Sequence, residues 1–340
     1  MSRKKEILRY EAPWPLYAMN WSVRSNHNLR LAAASYMNHN KNKIQVLTVN
    51  DADGEIACTH MADVDYPVNK MMWIPDTHNM YPDLTATCSD YVRLFKLKDD
   101  GTMQMECLLD NYKSPGYTQP LTSFDWNGAD PNIIGTASID TSCTVWSLET
   151  GRVIGKTSSI TGHVKTQLIA HEKEVCDISF NKSPSGYSKF IFASVGFDGS
   201  VRVFDLRHLE HSVITYEDPK KAPLMRVGWN RVDPNLLATF ALHTNEVVVL
   251  DIRMPCIPYA RLSSHRDVVS GLSWSPLSAR TMVTSSMDNQ ALIWDVTNMP
   301  IEEPQLAYCA DGQISNVQWS STWSDWIAIA FNNCIEMLRV

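Results

Sequence analysis

The sequence has 340 residues, 44% of them hydrophobic, which is enough for one large globular unit, and no run of about eighteen apolar residues could span a bilayer. Its formal net charge of -7 and pI near 5.8 argue against the basic face of a general nucleic-acid binder, so we expect protein partners and no direct nucleic-acid contact. The eight cysteines are irregularly spaced without a C-x-x-C pair, which favours free thiols over disulfides or a metal site.

The N-terminus is basic at Arg3, Lys4 and Lys5, with no apolar stretch behind this charge. A secretory signal is therefore not expected, and three charges on a terminus are more often solvated than used for targeting. We expect a cytoplasmic and nuclear location. Residues 6–10 follow with the alternating pattern of a short strand.

A repeated unit then dominates the chain. Each of seven units begins with a short alternating strand that ends in an aromatic residue. These strands are Ala18–Trp21, Lys70–Trp73, Ser123–Trp126, Asp177–Phe180, Arg226–Trp229, Gly271–Trp274 and Asn316–Trp319. Successive aromatic residues are separated by 52, 53, 54, 49, 45 and 45 residues. Such self-similarity is typical of a repeat architecture.

Within each unit the aromatic is followed by a polar turn, a second strand of small and apolar residues, a tight turn, and a third and a fourth strand. Residues 190–195 and 200–204 are examples of the second and third strands. No helical periodicity interrupts the pattern, so the fold is predicted to be all-β. Seven four-stranded sheets cannot each bury both faces alone, but they can pack radially as the blades of a β-propeller.

We therefore predict one domain over residues 1–340, a seven-bladed β-propeller with blades starting near residues 17, 69, 121, 174, 224, 268 and 314. The last unit ends on a third strand, residues 335–340. Its missing outer strand can be supplied by residues 6–10. The N-terminal strand is thus predicted to pair with the last blade and close the ring.

The sixth unit contains a group of residues that resembles a catalytic site. His265, Thr284, Asp288 and Trp294 have the spacing of the hydrogen-bonded tetrad of WD-repeat proteins. A polar chain inside an apolar blade needs a partner for each donor and acceptor, which is a structural role. The same His, Thr and Asp could be read as a nucleophile relay, which we regard as the weaker interpretation.

Partial copies of this group favour the structural interpretation. The fourth unit has His171, Ser194 and Asp198, but its phenylalanine at position 204 lacks an indole N–H, so a shorter network is expected. The third unit keeps Thr136, Asp140 and Trp146, with Tyr117 in place of the histidine. Catalytic groups are not normally duplicated and degraded in this way. We predict no catalytic residue, no cofactor and no metal.

A propeller hydrolase is a further alternative, because residues 138–146 superficially resemble the aspartate box of sialidases. The segment lacks the glycine of that box, and its tryptophan comes one residue late. The sequence also has no carboxylate cluster, phosphate-cradling glycine loop or nucleophile elbow. An enzyme is therefore disfavoured.

Two Asp-x-Arg boxes end the third strands of consecutive units. Asp205 and Arg207 stand in the fourth unit, and Asp251 and Arg253 stand in the fifth. Each resembles the W-D-x-R box through which many WD-repeat proteins dock onto the adaptor of cullin-four ubiquitin ligases, with phenylalanine or leucine replacing the tryptophan. The alternative is a local Asp–Arg ion pair at a blade edge.

Longer segments resemble one WD-repeat family, the AN-eleven family of plant Transparent Testa Glabra and the animal DDB-and-cullin-associated factor seven branch. The resemblance spans nearly the whole chain and is closer to the animal branch, where the stretch 162–165 is usual. It is carried by Tyr10–Trp21, Pro120–Asn127, Gly162–Val175, Gly199–Arg207 and Gln290–Asp295.

The resemblance implies a non-enzymatic scaffold. Animal members bind dual-specificity tyrosine-regulated kinases, plant members join transcriptional regulators, and association with the cullin-four ligase is attributed to the family. The sequence departs from the family at residues 36–43, where an acidic pair is usual, and at residues 242–246, where an Asp-Gly turn is expected. Both segments are predicted turns, where partner contacts are commonly made.

The functional hypothesis is a scaffold, monomeric on its own, that holds a kinase or a transcriptional regulator near its target through loop-built surfaces. A second hypothesis is a substrate receptor of a cullin-four ubiquitin ligase, which is compatible with the first. An adaptor in cytoskeletal or small-GTPase signalling remains a third, since fold does not fix the partner.

Overall fold

A computed structural model of the chain describes residues 6–25, 29–38, 41–50, 54–110, 119–150, 160–183, 188–297 and 303–340. Arg3, Lys4, Lys5 and Tyr117 lie outside the described residues. Within these ranges there is one 3-10 turn, Ser188–Phe190, and no helix long and apolar enough to cross a membrane. All other regular structure described is β-strand.

The described strands form seven antiparallel four-stranded sheets, each a blade. Blade one has β2 (Leu16–Trp21), β3 (Arg30–Ser35), β4 (Asn42–Val49) and β5 (Ile56–Val64). Blade two has β6 (Lys70–Trp73), β7 (Leu84–Cys88), β8 (Val92–Leu97) and β9 (Met103–Leu109). Blade three has β10 (Leu121–Trp126), β11 (Ile133–Ser138), β12 (Ser142–Thr150) and β13 (Ile160–Ile169).

The remaining blades follow the same order. Blade four has β14 (Val175–Phe180), β15 (Ile191–Gly196), β16 (Ser200–Asp205) and β17 (Val213–Glu217). Blade five has β18 (Leu224–Trp229), β19 (Leu236–Ala241), β20 (Val247–Asp251) and β21 (Pro258–Leu262). Blade six has β22 (Val269–Trp274), β23 (Thr281–Ser286), β24 (Gln290–Asp295) and β25 (Leu306–Cys309). Blade seven has β26 (Ile314–Trp319), β27 (Trp326–Phe331), β28 (Cys334–Arg339) and, from the N-terminus, β1 (Ile7–Glu11).

The first strand of each blade contacts the first strand of the next blade, and β26 contacts β2, so the blades form a closed ring. The predicted all-β, seven-bladed propeller is confirmed. The N-terminal strand completes blade seven, with Ile7 opposite Leu338 and Glu11 opposite Cys334. The pairing strand is thus shifted by one residue from the predicted 6–10. Because β1 pairs with β28, the outer edge of β28 is covered and both ends of the chain belong to one sheet.

The core lies between neighbouring blades. Second strands such as β3, β11 and β19 are buried along their whole length, because both of their faces pack against an adjacent blade. This explains why they are continuous runs of small and apolar residues rather than alternating ones. The strand-ending tryptophans are also buried, and their indole N–H groups find carbonyl partners, as Trp126 does with Pro131 O at 2.7 Å.

Asparagines placed directly after three of the strand-ending aromatics join consecutive blades. The side-chain amide of Asn127 donates to Lys189 O, that of Asn181 to Pro234 O and that of Asn230 to Ala279 O, over 2.8 to 3.2 Å. Each amide also accepts backbone N–H groups of its own turn, as Asn230 does from Val232. These side chains fix the first-to-second-strand turns at one end of the ring.

Candidate functional site

The polar chain in blade six links four side chains in series. His265 Nδ1 lies 3.0 Å from the Asp288 carboxylate, and His265 Nε2 lies 2.7 Å from Thr284 Oγ1. The indole Nε1–H of Trp294 donates to the same Thr284 oxygen over 2.8 Å. His265, Thr284 and Trp294 are buried, so these hydrogen bonds replace those that water would otherwise provide.

Burial sets the protonation state of this chain. It lowers the pKa of His265, although the Asp288 carboxylate acts against it. Burial also acts to raise the pKa of Asp288, but hydrogen bonds from the backbone N–H of Arg266 and from His265 outweigh it, so that pKa lies below its usual value. At neutral pH the imidazole is therefore uncharged. Its Nδ1–H donates a hydrogen bond to Asp288, and its Nε2 accepts a hydrogen bond from the Thr284 hydroxyl.

Blade four brings together three of the corresponding residues. His171 Nδ1 lies 3.0 Å from both carboxylate oxygens of Asp198, and Nε2 lies 2.7 Å from Ser194 Oγ. Phe204 occupies the place of the tryptophan and packs against another phenylalanine, Phe192, with ring centroids 4.9 Å apart. Because phenylalanine has no N–H, it cannot donate to Ser194 as the tryptophan of blade six donates to Thr284.

Blade three has the other half of this hydrogen-bonded polar chain. The Trp146 indole donates to Thr136 Oγ1 over 3.0 Å, while Asp140 accepts the backbone N–H and hydroxyl of Ser142 in the tight turn. The hydroxyls of Thr284 and Ser194 have no exposed surface, so they cannot reach a substrate. The geometry is that of a structural network and not of a nucleophile relay. Among the described residues no three His, Cys, Asp or Glu side chains are close enough to hold a metal ion.

The two Asp-x-Arg boxes form matching ion pairs. In blade four, Arg207 Nε lies 2.9 Å from Asp205 Oδ1 and its Nη2 lies 2.5 Å from Oδ2. In blade five, Arg253 makes the same two contacts with Asp251 at 2.9 and 2.6 Å. The hydrogen bond from each arginine lowers the pKa of its aspartate. The arginine side chains are nevertheless 38% and 62% exposed, so each planar fork faces solvent.

Exposed apolar residues flank these pairs. Val213 and Ile214 follow the Asp-x-Arg box of blade four in the chain, and Met254 and Ile257 follow that of blade five. The side chains of all four are exposed by 40% or more. A groove of about 640 Å³ runs beside Arg207. In blade six the corresponding Asp295 accepts the backbone N–H of Thr297 instead of an arginine. An arginine beside apolar surface is the composition that interface hot spots favour.

A second polar region, which the sequence analysis did not single out, lines the central channel. Its charged side chains are Lys70, Asp125, Asp177, Lys182, Arg226 and Arg231. A signal for three of them was present in the repeat. Lys70, Ser123, Asp177 and Arg226 all occupy the first position of the four-residue segments that end in an aromatic. That shared position faces the channel.

Comparison with known proteins identifies the family to which this chain is similar. The family model described as WD domain, G-beta repeat matches residues 161–205 and 256–295. The chain is 44% identical over 340 residues to the DDB1- and CUL4-associated factor 7 homolog of Dictyostelium discoideum, covering 99% of each chain. It is 34% identical over 408 residues to an uncharacterized WD repeat-containing protein of Schizosaccharomyces pombe, covering 99% of this chain and 90% of the relative.

A WD repeat-containing protein of Saccharomyces cerevisiae is 35% identical over 330 residues, covering 87% of this chain. The match covers 59% of that longer relative. The full-length match to the Dictyostelium protein agrees with the propeller geometry and with the animal branch predicted from the sequence. The chain therefore belongs to the DDB1- and CUL4-associated factor 7 family of WD-repeat proteins.

Proposed function

We propose that the protein is a non-enzymatic interaction scaffold that docks onto a DDB1- and CUL4-containing ubiquitin ligase through its Asp205–Arg207 and Asp251–Arg253 pairs. The observation that carries this proposal is the repetition of one solvent-facing ion pair in consecutive blades. The name of the Dictyostelium relative supports the choice of partner.

The topology puts the two pairs on the same end of the ring. Strands β16 and β20 are the third strands of neighbouring blades, so they run in the same direction through equivalent sheets. Asp205 and Asp251 end these strands, and each arginine follows two residues later. A single partner surface can therefore engage both arginines.

Each aspartate prepares its arginine for binding. The bidentate pair holds the guanidinium in one orientation before a partner arrives, which reduces the side-chain entropy lost on association. As an isolated exposed ion pair it contributes little to folding, because water and salt screen it. Its repeated geometry is thus more valuable for recognition than for stability. A buried partner carboxylate or apolar anchor between the two boxes would complete the contact.

The rest of the ring supplies surfaces for a second protein, so that a regulator and its target are held at high effective concentration. The AN-eleven resemblance proposes a dual-specificity tyrosine-regulated kinase or transcriptional regulators for this role, in the cytoplasm and nucleus. Pull-down of such a kinase by the purified protein is the direct test. Absence of binding would contradict the proposal that this kinase is a partner.

The docking experiment uses purified protein and purified DDB1 in biolayer interferometry. We expect the double variant Arg207→Glu, Arg253→Glu to bind DDB1 roughly 30-fold or more weakly, because removing a close interfacial charge pair typically costs about 2 kcal/mol or more. Alanine at both positions is a second variant that introduces no repulsion with the neighbouring aspartates.

Arg266→Glu is the matched control, since this exposed arginine precedes β22 and therefore lies at the opposite end of the ring. It should leave DDB1 affinity unchanged. Retained DDB1 binding by both double variants would overturn the docking proposal. Turnover of a small substrate by the purified protein would overturn the scaffold itself and favour the hydrolase alternative.

A further inference from the structure

The mouth of the central channel carries two basic side chains at equivalent positions. Lys182 and Arg231 each stand two residues after the aromatic that ends the first strand of blades four and five. At the other blades this position is uncharged. Its residues there are Val23, Pro75, Gly128, Pro276 and Ser321. The basic charge is therefore concentrated on one side of the mouth.

Inside the channel the charges are only partly balanced. Lys70 Nζ lies 3.0 Å from Asp177 Oδ1, and Lys182 forms an ion pair with the buried Asp125. Arg226 Nη2 donates to Tyr17 OH over 3.0 Å and not to a carboxylate of the described residues. Within the described part of the chain, Arg231 forms no hydrogen bond or ion pair through its side chain.

The charged residues that line the cavity are thus four cations and two carboxylates, an excess of two positive charges. The cations repel one another across it. Burial lowers the pKa of Lys182, the Asp125 carboxylate opposes this effect, and the charges of Arg231 and Lys70 add to it. An anion between these groups would remove the repulsion.

We propose that this channel binds a phosphoryl dianion, held by Arg231 and Lys182 at the mouth. A phosphate monoester carries about −1.5 to −2 charges at pH 7, which matches the excess charge of the channel. Arginine offers two parallel N–H donors to phosphate oxygens, and lysine offers a point charge. The cavity of about 160 Å³ that these two side chains help to line opens to solvent and is large enough for more than one water molecule.

The deeper cations have a supporting role. Arg226 is bonded to Tyr17 and Lys70 to Asp177. Both cations are therefore fixed in place and add to the positive electrostatic potential in the channel. Low-dielectric walls concentrate that field along the channel axis. Solvent reaches Arg231 through the mouth, which gives a ligand a path of entry.

The experiment is isothermal titration calorimetry of the full chain at low ionic strength in a buffer without phosphate. The two probes are inorganic phosphate and a glycine-flanked phosphoserine pentapeptide, with the unphosphorylated peptide as a blank. We expect the protein to bind at least one phosphorylated probe. Arg231→Gln should weaken that binding about tenfold or more, since it removes a charge-assisted hydrogen bond.

Arg231→Gln is suited to this test because no described group depends on the arginine for its pairing, so the variant should keep the melting temperature of the parent. Arg266→Gln is the control, with the same loss of charge at the opposite end of the ring. Tenfold tighter binding of the phosphopeptide than of phosphate would assign the anion to a phosphorylated partner. Equal or weaker peptide binding would assign it to a free small anion.

Two results would overturn the site. One is that neither probe binds at millimolar concentration. The other is that Arg231→Gln and Arg266→Gln weaken binding equally, which would indicate diffuse attraction to the surface instead of a site.

Discussion

The substitution Thr284→Val tests whether the polar chain of blade six stabilises the fold. The Thr284 hydroxyl links two buried side chains, because it accepts from Trp294 Nε1 at 2.8 Å and donates to His265 Nε2 at 2.7 Å. Valine keeps the branched shape and nearly the same volume, so it creates no large cavity. It leaves an indole donor and an imidazole acceptor buried without partners.

The magnitude follows from those two groups. Leaving one buried polar group without a hydrogen bond costs about 1–3 kcal/mol, so the variant, which leaves two, should lose roughly 2–6 kcal/mol of unfolding free energy. That is a large part of the roughly 5–15 kcal/mol typical of folded proteins. The unfolding entropy of a chain of this size is roughly 0.7 kcal/mol per kelvin, so each kcal/mol corresponds to about 1.4 °C and we expect a melting temperature lower by about 3–8 °C.

Urea unfolding and calorimetry measure this loss. Thr281→Val is the matched control, because Thr281 lies on the same strand β23 but is half-buried and bonds only the Ser278 hydroxyl, which water can replace. It should lose less than about 1 kcal/mol. Ser194→Ala in blade four should fall between the two, since it removes one strong hydrogen bond to His171. Equal losses for Thr284→Val and Thr281→Val would refute the reasoning.

Three further predictions concern the termini, pH and thiols. Deleting residues 1–12 should sharply lower the melting temperature, because β28 would lose its partner strand; an unchanged calorimetric transition would contradict ring closure as a source of stability. Since the folded pKa of His265 lies below the unfolded value near 6.5, the unfolded state binds more protons, and stability should fall as pH drops below about 6.5. His265→Asn should flatten that slope in urea titrations between pH 5 and 7, and an unchanged slope would assign it to other groups. Burial raises the pKa of Cys143 to about 12, so this thiol should react with a disulfide reagent only after unfolding. Fast reaction in the folded protein should be limited to three thiols, Cys58, Cys256 and Cys309.

The ring itself was predictable because its signal is repeated seven times. An aromatic at a regular interval, followed by a buried second strand, requires neighbours on both faces, and only a closed radial array provides them. The N-terminal strand was predictable for a related reason, since the last unit lacked an outer strand. Its exact register was not, because residues 6–10 and 7–11 alternate in the same way and only pairing with β28 decides between them.

The turns show where sequence reasoning was less informative. The departure at residues 36–43 suggested altered partner contacts. Residues 39 and 40 of this segment lie outside the described residues, but Asn42 is buried and accepts from the Ser35 hydroxyl and the Met37 N–H. In the other departing segment, His243 takes a φ of 58°, a conformation more usual for the glycine expected nearby. Both changes have a local structural consequence that residue type alone did not reveal.

The channel was not predictable from any single segment, because its charges come from separate blades. Lys70 and Asp177 are 107 residues apart in sequence and meet only after the ring closes. Aligning equivalent positions of the repeats recovers this information, since each position has one radial location in the propeller. The channel charges are therefore found by comparing equivalent positions of different blades, and not by reading one segment along the chain.

The same topology constrains how the docking experiment must be interpreted. First and third strands of a blade run in the same direction, so Arg231, which follows β18, lies at the same end of the ring as Arg253, which follows β20. Reversing the charge of Arg207 and Arg253 therefore also changes the field at the channel mouth. If DDB1 engages the Asp–Arg pairs by contact, Arg231→Gln should leave DDB1 affinity within about twofold, because that arginine belongs to neither pair. A loss as large as that of the double variant would mean that the positive end of the ring as a whole, and not the two forks, attracts the ligase.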